Sequence, residues 1–172
     1  IVVMDDGSLY VAGQYSHEVY VFDADENHVG TFDDAAIDSP TGMALSPSGD
    51  LLYVSSYNGD NVMVFDLDGN LQRSFTGGGL NGTNCVAFDS QGNIYVASAV
   101  NALVIKFDPD ENFVTSFTGG GLSSPMGIAR DVDDTLYVAG GGSHDLVMFD
   151  TDGNVLGELS HPDLFSPQGV AV

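Results

Sequence analysis

The reading of the fold is decided between Gly42 and Phe75. Gly42-Met43-Ala44-Leu45 is closed by Ser46-Pro47-Ser48-Gly49-Asp50. Leu51-Leu52-Tyr53-Val54-Ser55 follows, then the loop Tyr57-Asn58-Gly59-Asp60-Asn61 and the run Val62-Met63-Val64-Phe65. Asp66-Leu67-Asp68-Gly69-Asn70 leads into Leu71-Gln72-Arg73-Ser74-Phe75. Four runs of strand length, rich in strand-preferring residues, are separated by clusters of turn formers, which predicts four short strands joined by tight connections. Gly69 suits the left-handed position of a hairpin turn. The two middle runs are apolar on both faces, as strands covered on both sides must be, and the last alternates, as a half-solvated outer strand should. Helical periodicity is absent.

The same unit returns along the chain. Leu9-Tyr10-Val11, Leu52-Tyr53-Val54, Ile94-Tyr95-Val96 and Leu136-Tyr137-Val138 stand 43, 42 and 42 residues apart, and Phe22-Asp23, Phe65-Asp66, Phe107-Asp108 and Phe149-Asp150 keep the same beat. A period of roughly 40–50 residues made of short β runs is the signature of a β-propeller with one four-stranded antiparallel blade per repeat. The repeats fall at about 1–38, 39–80, 81–123 and 124–165. Ser166-Pro167-Gln168-Gly169 then repeats Ser124-Pro125-Met126-Gly127 and Ser39-Pro40-Thr41-Gly42, so residues 166–172 read as the start of a further blade. Four repeats with a surplus inner strand predict an all-β arc of a larger, six- or seven-bladed ring. A compact four-bladed ring and a ring shared by several chains are the alternatives.

The pattern Pro-x-Gly-Ile-Ala, Asp-x-x-Gly-x-Leu-Tyr-Val and Val-x-Val-Phe-Asp resembles NHL-type propeller repeats, and Ser46 to Asp66 resembles the related YVTN repeats of cell-surface proteins. The resemblance covers nearly the whole chain. NHL blades carry an Asp after the Tyr-Val pair and an Arg at the third strand. Here those places hold Gly13, Ser56, Ser98 and Gly140, and Glu18, Asn61, Leu103 and Asp145, so the broader NHL/YVTN class is the better name. The resemblance implies a fold used by adhesion modules, scaffolds, lyases and lactonases, which the fold alone does not separate. It also implies that ligands meet the face where the loops between second and third strands join the links between blades.

Composition narrows the partners. Asp and Glu number 25 against three bases (Arg73, Lys106 and Arg130), for a formal charge of −22. Nucleic acid is excluded as a partner, because phosphate binding needs Lys and Arg to displace counterions. No run reaches the ~18 apolar residues of a membrane helix, so membrane insertion is not expected. So acidic a chain is relieved by salt, which predicts an extracellular or cell-surface setting, with the cytoplasm of a halophile as the alternative. A lone thiol, Cys85, precludes an internal disulfide and is expected to pack as a small hydrophobe.

Mapped onto the loop face, the candidate binding residues are Tyr15, His17, Tyr57, Asp60, Asn84, Asn101 and His144, with Thr41, Met126 and Gln168 at the starts of inner strands. His17, Asp60 and His144 hold the same repeat position, with Ala102 breaking the series. His and Asp are metal-ligand types, but residues three blades apart do not share a metal, and no cofactor is expected. The turns Asp23-Ala24-Asp25, Asp66-Leu67-Asp68-Gly69, Asp108-Pro109-Asp110 and Asp150-Thr151-Asp152-Gly153 read as Asx-type turns, with a weak site for calcium or another divalent cation as the alternative. Gly77-Gly78-Gly79, Gly119-Gly120-Gly121 and Gly140-Gly141-Gly142 lack the Lys-Ser/Thr of a phosphate loop and are expected to be flexible links. No Ser/His/Asp or Cys/His arrangement can be assembled from spacing. The resulting expectation is a recognition or scaffold module binding a protein or glycan. The alternatives are a metal-dependent lyase or lactonase with its site in the channel and an architectural component of a larger assembly.

Overall fold

The computed structural model describes residues 1–172 and shows sixteen strands in four separate four-stranded antiparallel sheets. Blade one holds β1 (Val2–Val3), β2 (Leu9–Gly13), β3 (Glu18–Phe22) and β4 (His28–Phe32). Blade two holds β5 (Pro40–Leu45), β6 (Leu51–Ser56), β7 (Asn61–Asp66) and β8 (Leu71–Phe75). Blade three holds β9 (Thr83–Phe88), β10 (Ile94–Ser98), β11 (Leu103–Phe107) and β12 (Phe113–Phe117). Blade four holds β13 (Pro125–Arg130), β14 (Leu136–Gly140), β15 (Asp145–Phe149) and β16 (Val155–Ser160). Each sheet keeps its strands in chain order, and the inner strands β5, β9 and β13 adjoin one another around the axis.

Three apolar seams join the four blades, and strand alternation assigns each side chain to its seam. Leu52, Val54, Met63 and Phe65 face blade one and meet Tyr10, Val19 and Phe32. Tyr53, Val62 and Val64, on the other face of the same strands, meet Ile94, Val96, Ile105 and Phe107 of blade three. Tyr95, Ala97 and Val104 then meet Leu136, Val138, Val147 and Phe149 of blade four. The two-faced apolarity of β6, β7 and β10 thus becomes nearly complete burial, while the middle strands of blades one and four are only half-buried on the side that has no neighbouring blade.

The Phe-Asp phrase has two jobs. The phenylalanine meets the fourth-strand phenylalanine of the preceding blade: Phe65 on Phe32 at 5.5 Å, Phe107 on Phe75 at 5.0 Å and Phe149 on Phe117 at 5.2 Å between ring centroids. Phe22, with no preceding blade, lies against His28 instead. The aspartate closes the following turn: Asp66 Oδ1 accepts the backbone N–H of Asp68 and Asn70, and Asp23, Asp108 and Asp150 do the same. In this arrangement the carboxylate oxygens are spent on their own turns.

Within the glycine-rich links, expected to be flexible connections, Gly78 has a packing role. A Cβ on Gly78 (φ +60°) would lie 2.5 Å from the Phe113 ring and 2.6 Å from Ile105, so this link is pressed onto blade three and needs glycine to get there. Cys85 packs against the third seam as a small hydrophobe. Residues 166–172 form no strand ladder, yet a Cβ on Gly127 would lie 2.8 Å from Gln168 O, much as one on Gly42 would lie 2.6 Å from Asn84 O. The segment therefore sits beside β13 as β9 sits beside β5.

Candidate functional site

Inner strands lead out of the axis on the face where the loops between second and third strands also emerge. There they form a cavity of about 580 Å³ lined by Ala12, Gln14, Tyr15, Pro40, Thr41, Tyr57, Asn84, Met126 and Gln168. Thr41, Asn84, Met126 and Gln168, at equivalent positions of repeats two, three and four and of the segment that follows them, also line a second cavity of about 150 Å³ that runs down the axis past Gly42, Cys85, Gly127 and Gly169. The larger cavity is the mouth of this channel. Tyr15 stands almost free at its edge, 91% exposed, and Tyr57 faces it from the next blade. Asn84 Nδ2 donates to Met126 Sδ at 2.9 Å, so the mouth residues of blades three and four already touch.

No acidic or basic side chain lines the mouth. In a chain with 25 acids, that leaves amides, hydroxyls, two aromatic rings and a thioether lining the opening. These groups make neutral hydrogen bonds and stacking contacts. They do not fit a resident divalent metal, which wants imidazole, thiolate or carboxylate ligands, and nowhere do three His, Cys, Asp or Glu side chains gather.

The mouth is braced from behind by buried serines. Ser55 Oγ accepts from Gly42 N–H at 2.8 Å and contacts Thr41 Oγ1 at 3.1 Å, and it lies 2.8 Å from Asn84 O of the next blade. Ser56 and Ser98 stand where NHL blades carry Asp, and they bind the incoming links at Asp38 and Asn81. The small hydroxyl satisfies link backbone that would otherwise be buried without a partner.

Of the predicted site residues, Tyr15, Tyr57 and Asn84 come together at the mouth. Asn101 lies apart and caps Gly79 O at 2.7 Å. His17, Asp60 and His144 face the links between blades. Ser39 N–H donates to His17 Nδ1 (3.0 Å), Gly82 N–H to Asp60 Oδ1 (2.6 Å) and Ser166 N–H to His144 Nδ1 (3.1 Å), each across 22 residues. All three latch residues have left-handed backbone, as does Ala102 at the fourth position, which has no side chain to offer. Sequence reasoning missed Gln14 and the latch role. The signal was a polar residue one place before three of the four third strands, 22 residues ahead of the link residue that it binds.

Arg73 and Glu111 form the main charged contact between blades, with Arg73 Nε donating to both carboxylate oxygens at 2.9 and 3.0 Å. Tyr53 OH donates to Glu111 Oε1 at 3.0 Å and accepts from Arg73 Nη2 at 3.1 Å. Burial, with the Glu111 carboxylate added to it, pushes the Tyr53 phenol up to about 12. Tyr95 is also raised, by burial and then by the charge of Asp89, to which its hydroxyl donates at 3.0 Å. These are seam contacts, remote from the mouth.

Comparison with known proteins agrees with this geometry. Residues 2–120 match the sequence profile of the SMP-30/gluconolactonase/LRE-like region. Among curated proteins none matches. A catalytically inactive virginiamycin B lyase from Staphylococcus aureus, solved with quinupristin, superposes with a TM-score of 0.82 at 15% identity, covering 98% of this chain and 57% of the lyase. A nidogen/laminin complex gives 0.81 at 16% identity over 94% of this chain and 62% of that one, and hydrazine synthase of Kuenenia stuttgartiensis gives 0.76 at 22% over 91% and 47%. The chain thus spans about half to three-fifths of the solved chains it resembles and is a partial propeller. At these identities the likeness establishes the fold and nothing finer.

Proposed function

The chain belongs to the SMP-30/gluconolactonase/LRE-like family, and from that premise we propose that it is a recognition propeller whose channel mouth receives an uncharged, hydrogen-bonding part of a protein or glycan partner. The observation that carries this reading is the lining itself: Gln14, Thr41, Asn84 and Gln168 offer amide and hydroxyl groups from adjoining blades, flanked by Tyr15 and Tyr57, with no charge among them. Exposed tyrosines give large, rigid contact area at small entropic cost. The fold shared with a chain of a nidogen/laminin complex supports a protein partner. An extracellular setting suits the acidic surface, which ambient salt would screen.

The test is a panel of neutral glycans and peptides, followed by Tyr15→Ala with Tyr57→Ala on any binder. Losing two such contacts should weaken binding by about tenfold or more with the fold intact. Unchanged binding by the double variant would reject this face.

A second reading, a lyase or lactonase-like enzyme, is favoured by the family and by the lyase among the structural neighbours. On this arc the axis supplies no charged side chain, only amides, a hydroxyl, the Met126 thioether and the Cys85 thiol, so the acid–base groups and most metal ligands would have to stand on other blades of a larger ring. Stoichiometric, chelator-sensitive metal together with turnover would support it. A metal-free axis without turnover would leave recognition as the function.

A further inference from the structure

The three latches end two residues before the mouth. Ser39 precedes Pro40-Thr41, Gly82 precedes Thr83-Asn84, and Ser166 precedes Pro167-Gln168, so each tethered amide sets the position of one mouth residue. Both ends of each tether are left-handed: His17 and Ser39 at φ +60°, Asp60 at +50° with Gly82 at +67°, and His144 at +63° with Ser166 at +48°. Ser39 Oγ also donates to Gln14 O at 3.3 Å, which ties the His17 latch to another mouth residue.

The latches differ in chemistry. An imidazole Nδ1 accepts a hydrogen bond only while it carries no proton, so both closed histidine latches need the proton on Nε2. A carboxyl group keeps an acceptor oxygen in either protonation state. We infer that His17 and His144 make the channel mouth proton-responsive: protonation releases the Ser39 and Ser166 amides and loosens the links that lead to Thr41 and Gln168, while Asp60 continues to hold the link to Asn84.

The surroundings of the two histidines differ. Asp38 Oδ1 lies 3.2 Å from His17 Nδ1, so a protonated ring exchanges the Ser39 amide for a carboxylate. Glu18 follows His17 on β3. The His144 ring is stacked on Phe165 at 4.3 Å, and the adjacent Asp145 has its carboxylate bound by Ser143 Oγ at 2.6 Å. The latched form binds fewer protons than the released form, so it prevails at high pH and gives way as pH falls. A ligand held by the mouth would be released in the same direction. That consequence rests on the mouth being the binding site, whereas the latch chemistry does not.

Residue-resolved amide exchange on the ligand-free chain, at pH 8 and pH 5 and corrected for intrinsic chemistry, tests the switch. Protection at Ser39 and Ser166 should fall about tenfold on acidification, the loss of roughly one hydrogen bond each, while Gly82 stays level. His17→Asn keeps an acceptor oxygen near the Nδ1 position, tolerates left-handed backbone and does not titrate. In that variant Ser39 should stay protected at both pH values while Ser166 still responds. Protection that is pH-independent at Ser39 and Ser166, or that falls in step with Gly82, overturns the proposal. So does a Ser39 amide that remains pH-dependent in His17→Asn. If that variant does not fold, Ser166 against Gly82 in the natural chain decides. Because no ligand is present, this result stands or falls separately from the binding reading.

Discussion

Removing Arg73 or Glu111 tests whether the second seam depends on its one charged clasp. The Glu111 side chain is 11% exposed and Arg73 44%, so the pair is neither fully solvated nor fully buried. An exposed ion pair contributes ~0.2–1 kcal/mol, and hydrogen bonds to charged groups contribute ~1.5–3 kcal/mol. The two-pronged contact, with Tyr53 as a third member, places the coupling between those ranges, at about 1.5 kcal/mol in 0.15 M salt. Arg73→Met leaves a largely enclosed carboxylate without its cation, and Glu111→Gln leaves the guanidinium a neutral partner. Each should cost about 2 kcal/mol, and the double variant less than their total. Urea unfolding followed by tyrosine fluorescence measures this, since the chain has no tryptophan. Glu111→Gln should also lower the Tyr53 phenol from about 12 without returning it to its ordinary value, because burial is the larger cause. A coupling below about 0.3 kcal/mol, or one abolished by 1 M salt, would refute the clasp.

Three further outcomes follow from the packing. Ser55→Ala should cost ~1–3 kcal/mol and deprotect the Gly42 amide in exchange measurements, because it removes the acceptor of a buried N–H. Gly78→Ala, meeting Phe113 and Ile105 at a left-handed position, should cost ~2–3 kcal/mol; Gly121→Ala, with φ +73° and open space around it, should cost only ~1 kcal/mol, and equal thermal shifts would sink the close-packing account. The Asp66 and Asp150 carboxyls are held below the ordinary carboxylate range first by their Asn70 and Asn154 side chains, and those of Asp23 and Asp108 first by the backbone N–H of Asn27 and Asn112. The folded state therefore binds fewer protons there, and this stabilisation, complete well above the unfolded value of ~3.9, is lost as pH falls through the lowered folded values. Measured in 1 M salt, where relief of charge repulsion is small, the urea midpoint should drop between about pH 5 and pH 2. A midpoint that rises would contradict the turn assignment.

The fold was legible because each blade repeats the same period-2 pattern, and that pattern needs only strand alternation and turn chemistry to be read. Tyr53 against Leu52 even tells which seam a residue joins, once the blades are known to stack. The mouth was partly legible: Thr41, Asn84, Met126 and Gln168 follow from the repeat position, and Tyr15 and Tyr57 from their loops. His17 and Asp60 were harder. A polar residue in an exposed loop looks the same in sequence whether it faces a ligand or a backbone amide 22 residues away. What separates the two is the left-handed backbone, which turns the side chain toward the link and leaves no sequence mark on a histidine. The glycine links misled for a related reason, since Gly78 serves close approach as readily as flexibility.

If the mouth is the binding site, stability and recognition are mechanically joined in this arrangement. Each mouth residue begins an inner strand, and the strand's place around the axis is set by the seam behind it. Ser55 lies at that junction, holding Gly42 of its own blade and contacting Asn84 O of the next. A seam substitution far from the mouth, such as Phe107→Leu, removes ring contacts with Phe75 and allows blades two and three to shift relative to one another. Thr41 and Asn84 would move with them, so ligand affinity should fall along with stability. Tyr15→Ala, on a freely exposed side chain, should instead lower affinity and leave the urea midpoint unchanged. If Phe107→Leu lowered stability but left affinity intact, the mouth would have to be organised by its loops alone, and the seam would have no part in recognition.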